Sequence, residues 1–198
     1  TNWLKRENPG RQPAVFGRFD LVAMVVAGIA LVAWATSPAH SALEGPAAVL
    51  LVAAGILQAI RLTRWAGDRT LAEPLVTVLH AAFAFVPLGF LLTGWALAAD
   101  DAALRSAGIH AWTTGAIGMM TLAVMTRATR GHSGRPLTAP PSTVLIYAGV
   151  FLAAVLRIAA AFLPEHTMAL LGGAGLAWVI AFAGFAVAYG AMLILPRP

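Results

Sequence analysis

Three histidines and one arginine occupy surroundings in which their chemistry would matter. His80 lies in LVTVLHAAFAFVPLGF, His110 in GIHAWTTGAIGMMTLAVMTR, Arg157 in VLRIAAAF and His132 in RATRGHSGRPL. A neutral imidazole offers a lone pair to a metal or haem iron, relays a proton, or hydrogen-bonds a neighbouring helix. All three uses are open to His80. His110 is followed by Thr113, Thr114 and Gly115, with Thr114 one helical turn further along the same face. That small, hydroxylated face leaves room for a flat macrocycle or for a group that orients the imidazole. Beside Trp112, His110 also suits the aromatic belt of a membrane interface. Arg157 keeps its charge at any ordinary pH and needs an anion or water beside it. A haem propionate, a carboxylate, a group from another chain, or snorkelling to the outer face would each serve. His132 falls in a loop between Gly131 and Gly134, among Arg127, Arg130 and Arg135. It reads as a metal ligand, part of an anion-binding loop, or a lipid-headgroup contact. His40 and His166 are expected to be solvated in outer loops.

Composition dictates what must hold these side chains. Of 198 residues, 60% are hydrophobic, 11% are charged and none is cysteine. A soluble domain carries about 25% charged residues, so a water-soluble fold is excluded, and a disordered chain is excluded by the same bias. Without cysteine there is no thiolate metal site, no disulfide and no CxxCH haem attachment. About 20 apolar residues cross the ~30 Å hydrocarbon core as a helix. Charged residues divide the chain into six such stretches, predicting helices near 19–36, 46–62, 74–98, 107–127, 143–163 and 168–194. The fold class is therefore all-α, a polytopic integral membrane protein with six transmembrane helices. Residues 1–18 form a basic arm and 19–198 the helical domain. The second span is short, and Arg61 extends it by snorkelling. Period-two alternation, the mark of a barrel strand, is absent.

Eleven of the thirteen basic residues fall at one end of these spans: Lys5, Arg6, Arg11, Arg18, Arg61, Arg64, Arg69, Arg127, Arg130, Arg135 and Arg197. The positive-inside rule then predicts cytoplasmic termini. Basicity of this kind is a topology signal that also suits anionic lipid headgroups. It offers no platform for nucleic acid. Gly115, Gly118, Gly172, Gly173 and Gly175 suit close helix packing, and Met119, Met120 and Met125 read as packing rather than copper ligation. At 1.5 Å per residue, His80 and His110 sit roughly 15 Å or more apart along the membrane normal. They therefore serve separate centres or complete sites with another chain. His110 and Arg157 share the outer half and suit one haem, through iron and propionate; His80 and His132 share the inner half. No phosphate loop, nucleophile elbow, HExxH or intramembrane carboxylate pair is present.

The string HAWTTGAIGMMTLAVMTRATRGHSGRPL, with LHAAFAFVPLG and RWAGDRTLAEPL upstream, resembles the NnrS family over roughly residues 60–160. These are bacterial inner-membrane proteins of about twelve helices, holding haem and copper and linked to nitric oxide metabolism and nitrosative stress. The resemblance implies that His80, His110 and His132 are metal-ligand positions and that Arg157 is a basic position of the following helix. Ser133 and Phe83 depart from it, standing where the family pattern has Thr and Tyr. The likeness is to the C-terminal half of the family architecture, whose N-terminal half carries a WHxHE-like motif not found here. With Thr rather than Met at position 1, the chain is expected to be a fragment, a processed product or one half of something longer. A companion half or self-association would then complete its sites within the lipid bilayer. The function implied is haem and copper binding in nitric oxide metabolism or nitrosative stress defence; the rival is a transporter or channel for a small solute, metal or haem.

Overall fold

Proline and carboxylate residues open the helices and fix where the chain turns. Glu73 accepts a hydrogen bond from Leu75 N–H at 3.0 Å, with Pro74 in the first turn. Asp101 accepts from the N–H groups of Ala103 and Leu104, and Pro141 starts another helix. Each satisfies or removes N–H groups that a helix start leaves unpaired. The computed structural model describes residues 2–7 and 10–194. In order these form α1 (Asn2–Glu7), α2 (Arg18–Thr36), α3 (Glu44–Thr63), α4 (Pro74–Ala99), α5 (Ala102–His110), a π-helical segment (Ala111–Gly118), α6 (Met119–His132), α7 (Pro141–Ala159) and α8 (Thr167–Ile194). Short 3-10 turns lie in three of the connections. No strand occurs among the described residues.

The expected all-helical membrane architecture is present. Five stretches among the described residues are long and apolar enough to cross a membrane: Arg18–Ala39, Ser41–Arg69, Pro74–Ala99, Pro141–Ala159 and Pro164–Ile194. The sixth predicted span, 107–127, lies inside the unbroken helical run 102–132. The π segment divides that run into three elements, none of which reaches crossing length alone. Other predicted bounds shift. The helix expected over 143–163 begins earlier and ends at Ala159, because the chain turns before Pro164. The basic arm contains a short helix, and its extended part docks on the α3–α4 connection through Ala14 N–H to the Arg64 carbonyl at 2.9 Å. Arg197 lies outside the described residues.

Two apolar clusters share α4. Ala27, Ala30, Leu51, Ala54 and Phe90 join α2 and α3 to it. Phe85, Met119, Leu122, Val150 and Phe185 join α4 to the π segment, α6, α7 and α8. A helix wrapped on both sides must be apolar all round, and α4 is. Close approach explains two glycines in particular. A Cβ on Gly115 would stand 2.3 Å from the Phe85 ring, and one on Gly118 would stand 2.5 Å from Trp178. Gly172 and Gly175 instead face open space, so the packing role expected for them does not hold. Buried hydroxyl pairs tie the second cluster together: Thr126 with Tyr147 and Thr143 with Tyr189. In lipid each of these would be costly to leave unpaired.

Candidate functional site

The structure places His80, Arg157 and His132 at three separate clefts. His80 lies in α4, half-buried. Its Nδ1 is 3.1 Å from the carbonyl oxygen of Val76, one turn earlier. A carbonyl has no hydrogen to give, so in the neutral imidazole Nδ1 carries the proton and Nε2 keeps the lone pair. Backbone carbonyls hold metal-ligating histidines in this way. The ring is fixed on two further sides. Trp65 meets it edge to face at 6.3 Å, and a Cβ on Gly67 would come within 2.6 Å of its Cδ2. Ala66, between them, adopts the left-handed conformation that brings Gly67 against the ring. His80 opens onto a cleft of about 510 Å³ lined by Leu62, Thr63, Gly67, Arg11 and Asp68. Arg11 and Asp68 form an ion pair there.

Behind Trp65 stands a charge cluster that the sequence did not reveal. Asp20 is only 3% exposed. It accepts from Gly17 N–H at 3.1 Å and from Arg61 Nε at 3.0 Å, with Arg64 at 3.8 Å. The Arg61 guanidinium lies 5.0 Å from the Trp65 ring centre and 5.9 Å from that of Phe83. Arg61 is therefore paired and stacked rather than snorkelling free. Asp20 and Arg61 are 41 residues apart, so no local pattern announces their contact.

His110 closes α5, half-buried, and its Nδ1 lies 3.5 Å from Thr113 Oγ1. The π segment begins at the next residue. Wider π turns are most often single-turn insertions, frequent at functional sites; here they run over eight residues. Trp112 anchors them to α4, donating Nε1–H to the Val86 carbonyl at 3.0 Å and packing over Gly89. Arg157 sits two residues from the end of α7 rather than deep within a longer helix. Negative partial charge at a helix C-terminus favours a cation there. Even so, no carboxylate pairs with Arg157 among the described residues. It faces a cleft of about 370 Å³ lined by Thr114, Ala153, Leu171, Ala174, Gly175 and Trp178. Gly175, unfilled on that side, helps keep the cleft open.

His132 is the last residue of α6 rather than a loop residue, and it is exposed. Its cleft holds Arg127 and Leu79 but not His80. His40 and His166 are exposed, as expected. Met119 is buried in the core, consistent with packing. Among the described residues, no three His, Asp or Glu side chains converge to hold a metal ion. A metal ion bound by protein alone asks for several donors. A porphyrin brings four nitrogens of its own and asks for one or two axial ligands. Separate imidazoles such as His80 and His110 therefore fit haem, whereas a copper ion would need donors from beyond those this chain brings together.

Fold and composition define a polytopic helical membrane protein with isolated intramembrane imidazoles. The family model described as NnrS protein matches residues 1–197, and the chain belongs to that family. The match reaches well beyond the 60–160 segment that carries the sequence resemblance. No curated protein matches the chain, and no solved structure does.

Proposed function

We propose that this protein binds haem in the bacterial inner membrane and acts in nitric oxide metabolism or nitrosative stress defence. His80 and His110 would be the first-choice ligands for the iron, and Arg157, in the outer cleft, would hold a propionate. One observation carries the reading: the Val76 carbonyl holds the proton on Nδ1 of His80, leaving Nε2 directed away as a ligand. Family membership supports the link to nitric oxide. A bound haem iron would supply redox chemistry and a place for a small diatomic ligand. The chain's own residues orient the imidazoles, offer a guanidinium to an anion, and wall the clefts with apolar groups. Copper enters this proposal only with ligands added by a companion half or a second copy; His132 is the next ligand candidate in that case. Cytoplasmic termini follow from the basic residues gathered at one end.

Pyridine haemochrome and copper analysis of the purified chain test the reading directly. Haem is expected, with the absorption spectrum altered or lost in His80→Ala and His110→Ala. A natively folded preparation that takes up no haem, even beside a companion half, would end the proposal. Retention of an unchanged spectrum in both single variants would remove the two ligand assignments.

A further inference from the structure

We propose that the cleft at the C-terminal end of α6 binds an anionic phospholipid, with Arg127 and His132 on the phosphate and Leu79 and Val124 along the acyl chains. This cleft has a volume of about 420 Å³ and opens between α4 and α6. Its charge is one-sided. Arg61, Arg64, Arg11, Arg6 and Arg105 each meet a carboxylate, whereas Arg127, Arg130 and Arg135 meet none among the described residues. An anion is drawn to such a neighbourhood. The negative partial charge at the end of α6 amounts to about half a unit, which three guanidiniums outweigh.

The cleft is also built rather than incidental. Arg130, 8% exposed, donates from Nε to the Pro136 carbonyl at 2.9 Å. Arg135 N–H and Ser133 Oγ both return to the Arg130 carbonyl. These bonds fold the connection back and bring Leu137 against Gly131. The wall is amphipathic in the right order. Val124, two turns before His132 on α6 and 54% exposed, offers apolar surface toward the membrane, while Arg127 and His132 lie toward the polar end. A free phosphate would use only the second part. A phospholipid uses both, and basic sites between helices at a cytoplasmic face suit such headgroups. The assignment does not depend on bound haem.

The test is native mass spectrometry of the purified full chain in detergent with equal amounts of dioleoylphosphatidylglycerol and dioleoylphosphatidylcholine. Preferential retention of phosphatidylglycerol is expected. Arg127→Gln should cut that preference about fivefold, the factor corresponding to ~1 kcal/mol per basic residue at a membrane surface. Arg105→Gln, at the other end of the molecule, should leave it unchanged. Val124→Trp, on an exposed surface that tolerates it, should reduce retention of both lipids and stands in if Arg127→Gln does not fold. Equal retention of the two lipids, unchanged ratios in Arg127→Gln, unchanged retention in Val124→Trp, or displacement of the lipid by excess inorganic phosphate would each overturn the assignment.

Discussion

At the scale of single residues, the orientation of His80 depends on neighbours as small as a missing methyl group. Gly67→Ala would place a Cβ 2.6 Å from the imidazole. Overpacking of this kind costs about 1–3 kcal/mol, and the ring must move off the Val76 carbonyl to relieve it. The expected outcome is a lower unfolding temperature together with the same spectral change as His80→Ala, read by thermal melting and absorption on one sample. By contrast, Asp68→Asn removes an exposed ion pair. Pairs of that kind are worth about 0–1 kcal/mol, so its melting curve should nearly overlay that of the parent. The four candidate side chains were legible as types: polar groups in apolar runs are costly and therefore conspicuous. Their partners were not. Val76 is an ordinary core residue in the sequence, and only the helix places its carbonyl under Nδ1.

At the scale of elements, the π segment is the feature least visible beforehand. Its composition is that of any membrane helix, and no proline marks a break in it. Only Gly115 and Gly118, spaced for close contact, hinted that something large would pack there. Trp112 is the side chain that pins the widened turns to α4. Trp112→Phe keeps the ring and deletes the donor, with an expected loss of about 0.5–1.5 kcal/mol for the hydrogen bond. Chemical denaturation measures that loss. If the segment orients His110, the variant should also shift the His110-dependent part of the absorption spectrum while leaving the His80-dependent part alone. The helix ends illustrate the same limit from another side. Apolar runs told where helices lie, but the turn before Pro164 shortened α7 and left Arg157 close to a helix terminus, a placement that hydropathy could not reveal.

At the scale of the whole molecule, charge segregation was the most readable signal, because it requires no knowledge of packing. A reporter fused after residue 198 should be active only in the cytoplasm, and one inserted between Asp100 and Asp101 only in the periplasm; the reverse pair of results would invert the topology. What the charge pattern missed was that part of the basic end is internally neutralised. Asp20 looked like a boundary residue, yet it gathers Arg61 from α3 and Arg64 just beyond that helix. Asp20→Asn should therefore lower the thermal midpoint and disturb the Trp65 fluorescence environment, while Arg18→Gln, outside the cluster, should change neither.

The placement of α2 has one more mechanical consequence. This rod of 19 residues, about 28 Å long, supplies from its first turn the carboxylate of the stack that backs Trp65 and, through it, the ring of His80. Near its far end Trp34 meets Trp112 edge to face at 5.7 Å, two positions from His110. A single peripheral strut thus braces both imidazole neighbourhoods, and tilting it would load the two together.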